Sequence, residues 1–155
     1  YIRITDINDD GSLNNDWKTA EKVEEKYILK NGDMLFARSG ATAGKTFIYN
    51  EKYGKAIFAG YLIKFTVKEN LNSDYLNFIL KSENYQNWVL QKRVGTAQPN
   101  INAQQYSSFE IPLPPLSEQQ KIVSEIEKIE AKIKVLETEI SEIPKQKEAV
   151  LKKYL

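Results

Sequence analysis

From residue 117 onward the apolar positions keep a fixed period. Ile122, Ile126, Ile129, Ile133, Leu136, Ile140 and Ile143 are spaced 4, 3, 4, 3, 4, 3, the repeat of a coiled-coil seam. Ser117 and Gln120 form a capping-box pattern, so the spacing predicts a helix with Ser117 as its cap. The stripe continues more weakly through Lys147, Val150 and Tyr154. Pro144 removes a backbone donor just before it weakens, which predicts a kink near residues 140–144. As one helix, residues 117–155 would reach about 58 Å at 1.5 Å per residue. A rod of that length cannot cover its own seam, and a strict heptad favours a second helix as partner over a core face packed on its own domain.

Upstream the pattern is mixed. Residues 1–5 alternate as a strand, and Asp9, Asp10 and Gly11 read as a turn. Further short strands are predicted at 34–38, 45–49 and 56–67, separated by Asn31-Gly32-Asp33, Ser39-Gly40 and Tyr53-Gly54. Ser73 and Asp74 suit a helix cap ahead of Tyr75, Leu76, Ile79, Leu80, Trp88 and Val89, with a break near Ser82. Asn102 and Gln105 suit a second, short helix. Pro112, Pro114 and Pro115 place three prolines in four residues, which no helix interior or central strand accommodates. The expected class is therefore α+β: a mixed, mainly antiparallel-sheet domain over 1–115, then a long coiled-coil helix over 116–155.

Composition narrows the chemistry. The chain has 155 residues, 41% of them hydrophobic, enough for one domain with an appendage, and it contains no cysteine or histidine. That excludes disulfides, thiol nucleophiles, histidine acid–base catalysis and the common zinc sites. A metal would need carboxylates alone, and no metal, catalytic residue or cofactor is expected. The longest apolar run, from Ala56 to Ile63, is eight residues against the roughly 20 that span a bilayer, so no membrane partner is expected. The chain starts at Tyr1 and its sole methionine is Met34, which suggests an excised or processed piece. No secretory signal is visible, and a cytoplasmic location is expected.

The near-neutral balance hides a pattern. Residues 1–35 carry five bases against eight acids, whereas residues 36–64 carry five bases against Glu51. Residues 116–155 hold eight lysines and eight glutamates, which suits a solvated helix surface, so any nucleic-acid contact belongs before residue 116.

Two polar stretches merit chemical scrutiny. Gly40-Ala41-Thr42-Ala43-Gly44-Lys45-Thr46 invites comparison with a P-loop, but three residues separate its glycines where four are needed, and Phe47-Ile48-Tyr49 favours a strand where a helix should follow. The stretch suits a tight hairpin connection. It equally suits contact with a polyanion through Arg38, Ser39, Thr42, Lys45 and Thr46. The second stretch runs from Lys92 and Arg93 through Thr96, Gln98, Asn100, Asn102 and Gln104. Arg, Gln and Asn bond base edges bidentately, though amide bonding within the loop and capping by Asn102 account for these residues as well.

Four motifs in order carry a resemblance. They are Tyr1-Ile2-Arg3-Ile4-Thr5-Asp6-Ile7; Asn31-Gly32-Asp33-Met34-Leu35-Phe36-Ala37-Arg38-Ser39-Gly40; Gly95-Thr96-Ala97-Gln98-Pro99-Asn100-Ile101-Asn102; and Ile111-Pro112-Leu113-Pro114-Pro115-Leu116-Ser117-Glu118-Gln119-Gln120-Lys121-Ile122-Val123 ahead of a long helix. Together they resemble the specificity (S) subunit of type I restriction-modification systems.

The resemblance implies a target recognition domain that grips one half of a split double-stranded DNA sequence. In that family two such units pair their helices antiparallel, which sets the spacer, and the assembly docks methyltransferase (M) and motor-nuclease (R) subunits. The S subunit performs no chemistry; S-adenosylmethionine, ATP and magnesium enter with its partners. A full S subunit carries two recognition domains and two helical regions. This sequence has one of each and starts partway into the first, as expected of a half-length subunit that dimerises or a piece of a full one. On this reading Arg38, Lys45, Lys92 and Arg93 contact mainly phosphates, and Gln98, Asn100, Asn102 and Gln104 contact bases. The reading from another class is a non-catalytic oligomerisation module whose globular domain binds protein.

Overall fold

The apolar run Met34-Leu35-Phe36-Ala37 forms β1 (Met34–Ala37), the central strand of a three-stranded antiparallel sheet ordered β2-β1-β3. In this computed structural model, which describes residues 1–154 apart from Asn15, Trp17, Thr96 and Ala97, β2 spans Thr46–Ile48 and β3 Leu62–Phe65. Leu35 lies opposite Phe47 and Lys64, and Phe36 opposite Thr46 and Ile63. Side chains alternate across a strand, so β1 feeds two cores. Leu35 and Ala37 join Ile2, Ile7, Leu29, Phe47 and Tyr49 on one face. Met34 and Phe36 join Leu80, Tyr85, Val89, Ile101 and Tyr106 on the other. Both faces are covered, which is why β1 lacks polar alternation.

Among the described residues four α-helices follow: α1 (Ser73–Lys81), α2 (Glu83–Arg93), α3 (Ala103–Ser107) and α4 (Leu116–Tyr154). The break between α1 and α2 falls at Ser82, as its sequence predicts. Its N–H donates to Ile79 O at 3.0 Å and its Oγ accepts from Tyr85 N–H at 3.4 Å, so one residue ends one helix and starts the next. Asn102 and Gln105 form the capping box of α3, each side chain accepting the other's backbone N–H at 2.9 Å.

Several expectations need correction. Residues 1–5 do not form a strand: Ile2 makes one isolated parallel bridge to Phe58, and Ile4–Asp6 is a 3-10 turn. Asp6 accepts from the backbone N–H of Arg3 at 2.9 Å and pairs with its guanidinium, folding the segment back on itself. Within 56–67 only Leu62–Phe65 is strand, because Gly60 and Tyr61 turn the chain after Ile57 and Phe58 make separate bridges. The cap of α1 is Asn72, whose Oδ1 accepts from Tyr75 N–H at 2.9 Å, and Ser73 is already helical. Ser117 likewise lies inside α4: Glu118 and Gln119 donate to Pro115 O at 2.9 and 3.1 Å, so the first turn closes on a proline carbonyl. α4 is one element through Pro144.

A pair of buried phenols locks α2 and α3 to the β1–β2 hairpin. Tyr85 donates to Gly44 O at 2.9 Å. Gly44 N–H donates to Tyr106 Oη at 3.0 Å, and Tyr106 donates onward to Ala37 O at 2.7 Å. Burial pushes both hydroxyls up, that of Tyr106 to about 12, so both remain donors at neutral pH. Gly44 sits at φ +97°, and a Cβ there would run into Val89 Cγ1.

Gly44→Ala should therefore cost about 3 kcal/mol through backbone strain and overpacking; an unchanged urea midpoint would contradict the close approach of α2. The phenols make a second expectation. A folded-state pKa of about 12 for Tyr106, against the ordinary 10.0, makes its contribution to stability level below pH 10. That contribution is lost as pH rises from 10 towards 12, because the unfolded chain ionises first. The alkaline decline measured by circular dichroism should be shallower in Tyr106→Phe.

Candidate functional site

The two polar loops singled out by the sequence meet in the fold. Ser39 and Asn100 form an antiparallel bridge, flanked by Gly40 N–H to Pro99 O at 2.9 Å and Ile101 N–H to Arg38 O at 2.8 Å. Arg93, at the end of α2, donates from its guanidinium to Ala41 O at 3.3 Å. The described parts of the stretches 38–46 and 92–105 are thus joined side by side, hung on the hairpin and held by Tyr85 and Tyr106.

Within that surface the predicted residues differ in availability. Arg38 is half-buried, and its guanidinium makes no ion pair with any described residue. Lys92 is exposed, its ammonium 5.6 Å from the centroid of the Trp88 ring. Gln98, Asn100 and Gln104 are exposed. Asn102 is exposed, but its side-chain oxygen is taken by the α3 cap. Ser39 and Thr46 are buried, and Thr42 Oγ1 donates to Ser39 O at 3.0 Å, closing the turn over Gly40–Thr42. Thr96 lies outside the described residues.

Lys45 is already engaged. Its Nζ pairs with Asp9 Oδ1 at 2.9 Å and donates to Ile7 O at 3.2 Å. It lines a cleft of about 340 Å³ together with Thr46, Lys81, Gln86 and Arg93, with Asp9 at the rim. Lys81 and Gln86 were not singled out by sequence, since each reads as an ordinary polar position on a helix. Asp10, whose carboxyl is held below the usual range by bonds from Ser12, feels the charge of Lys81. Three cations therefore border the cleft, two of them facing acids of the turn at residues 9–11. Among the described residues no group of three His, Cys, Asp or Glu side chains could hold a metal ion. No helix among them is long and apolar enough to cross a membrane.

The helix-pairing positions divide along α4. Ile122 and Ile126 are half-buried where α4 packs on α1, and Val123 between them is buried. Ile129, Ile133, Leu136, Ile140 and Ile143 are all exposed, by between 43% and 65%. The seam is uncovered for most of its length.

Comparison with known proteins agrees with this architecture. The MjaVIII type I restriction enzyme specificity subunit of Methanocaldococcus jannaschii is 28% identical over 134 residues, covering 85% of this chain and 30% of that protein. The putative MjaX specificity subunit of the same organism is 30% identical over 134 residues, covering 83% and 31%. The crystal structure of the HsdS subunit from Thermoanaerobacter tengcongensis superposes with a TM-score of 0.70 at 19% identity, covering 88% of this chain and 36% of that one. A chain from work on complex assembly and conformational transition of the type I R-M system gives 0.67 at 19% identity, with the same coverage. The chain thus spans about a third of the length of the relatives it matches. The family described as the type I restriction modification DNA specificity domain matches residues 1–145, and the chain belongs to that family.

Proposed function

We propose that this chain is a DNA-recognition unit of a type I restriction-modification specificity subunit. It reads one half of a bipartite target through residues 1–115 and sets the spacing to the other half through α4. The observation that carries this reading is the joining of the two polar loops at Ser39 and Asn100, which gathers Arg38, Lys92 and Arg93 beside the amides of Gln98, Asn100 and Gln104. Cations of this kind neutralise phosphates, while amides bond base edges. The unit itself recognises without chemistry; methylation and cleavage belong to M and R subunits docked on the assembly. Its second half is a twin chain or the remainder of a longer subunit, paired along the exposed seam. Five exposed apolar seam residues on a helix of 39 residues support that pairing, because an uncovered stripe of this size marks an interface.

Arg38→Ala should weaken binding to every duplex alike and lower the salt slope by about one. Gln98→Ala should cost roughly 1 to 3 kcal/mol on the cognate site alone. The target is found by footprinting or from the methylome of the source organism, and fluorescence anisotropy across a salt series measures both effects. Binding that ignores salt in the unmodified protein would favour a protein-binding module instead.

The chain should run as a dimer by light scattering. Ile129→Asp with Ile133→Asp places two charges in the seam and should leave it monomeric. A double variant that keeps the dimeric mass would remove α4 from the pairing.

A further inference from the structure

α4 is held by its first turns only. Leu116 follows the proline linker, Val123 is buried, Ile122 and Ile126 are half-buried, and every described residue from 127 onward is exposed. At 1.5 Å per residue the helix is a lever of about 58 Å. A swing of about 3.4° at its base then moves its far end by about 3.4 Å, the rise of one base pair. A device that separates two half-sites by a defined distance needs its base fixed in direction. Apolar contacts alone fix direction poorly, because the hydrophobic effect is non-directional.

The base carries one directional contact set, centred on a residue of unusual burial. Gln119 is 0% exposed, although it lies between Glu118 and Gln120 on a helix whose surface is charged. Its Oε1 accepts from Asn72 N–H at 2.8 Å, and its Nε2 donates to Asn70 O at 3.0 Å and Pro114 O at 2.7 Å. One side-chain amide therefore bonds the helix, the turn that enters α1 and the proline linker at once, with its oxygen and nitrogen both satisfied. Asn72 in turn caps α1, and Tyr75 Oη donates to Pro112 O at 3.1 Å on the same linker. Hydrogen bonds weaken steeply with misalignment, so three converging on one planar group define an angle where a packed Val123 would allow rocking.

We propose that Gln119 is a positioning residue that fixes the direction of α4 relative to the globular domain. Its effect on half-site spacing rests on the function proposed above; its effect on the helix direction does not.

The test exploits the absence of native cysteine. Spin labels at Glu83→Cys in α2 and Lys134→Cys on α4, away from the seam, report the angle as a distance distribution, with labelled chain diluted into unlabelled. The parent should give one narrow peak. Gln119→Met, similar in volume but unable to make the three bonds, should at least double its width while the melting transition persists. An unchanged width in folded Gln119→Met overturns the proposal. If that variant does not fold, Gln119→Asn, shorter by one methylene, takes its place under the same criterion. Failure of both to fold also overturns the proposal, since Gln119 would then be a requirement of the core. A second arm compares duplexes whose spacer differs by one base pair. A roughly tenfold preference in the parent assembly should fall below threefold in the variant. Widened distances with an intact spacer preference would leave Gln119 in its positioning role and count against the DNA-spacing reading alone.

Discussion

The fold turns on the space that is missing at Gly44. α2 lies so close to the β1–β2 hairpin that no Cβ fits against Val89, and at that distance both backbone polar groups of Gly44 are shut off from water. An unpaired buried amide or carbonyl costs about 1 to 3 kcal/mol, so each must find a partner inside. Tyr85 supplies the carbonyl's partner, the amide is shared between Ala37 O and Tyr106 Oη at 3.0 Å each, and Tyr106 donates onward to the same Ala37 O in the central strand. Two helices and a hairpin are thereby held to one another through directional contacts at a single point. Around it Trp88, Phe109, Phe36 and Phe65 pack ring against ring with centroids 4.9 to 6.0 Å apart. Such pairs add about 0.5 to 1.5 kcal/mol each beyond the area they bury.

That anchoring also explains the glycine-rich loop. The spacing that evokes a phosphate cradle has a different cause: Gly44 admits a helix, and the three hydroxyl residues Ser39, Thr42 and Thr46 are internal or bonded within the loop. What the loop offers outward is charge. Arg38 and Lys92 make no ion pair with any described residue, Lys92 lying over the Trp88 ring, while Lys45 is matched to Asp9 at a site where the acid's own side chain is 95% exposed. An exposed carboxylate can yield that lysine to a stronger anion at little cost, because ion pairs in water contribute only about 0 to 1 kcal/mol.

The helix and the globular domain are bound by different physics. The domain closes on apolar area, but α4 leaves it after a few turns and carries its apolar stripe into solvent, where five seam residues lie uncovered. On the pairing proposed above, its stability along that length is borrowed from a partner. Its direction comes from the amide of Gln119, the most deeply buried polar group where the two parts meet.

How much of this was legible in the chain depends on the range of the interaction. The long C-terminal helix, the Ser82 break, the Asn102–Gln105 cap and the central parts of the three sheet strands were readable, because periodicity, capping and turn chemistry act over a few residues and leave a local signature. The resemblance motifs also led to the right family. The strand expected at residues 1–5 failed because its alternation was overridden by Arg3 and Asp6, a pair three residues apart that closes a turn. The Ser117 cap failed because the first turn of α4 closes on the carbonyl of Pro115, which leaves Ser117 inside the helix. The joining of the two loops, the part played by Gly44 and the place of Lys81 beside Arg93 were decided only in three dimensions. They depend on contacts between residues whose separation along the chain carries no period, so the sequence by itself determined which elements form, and tertiary packing decided which polar groups are left free to act.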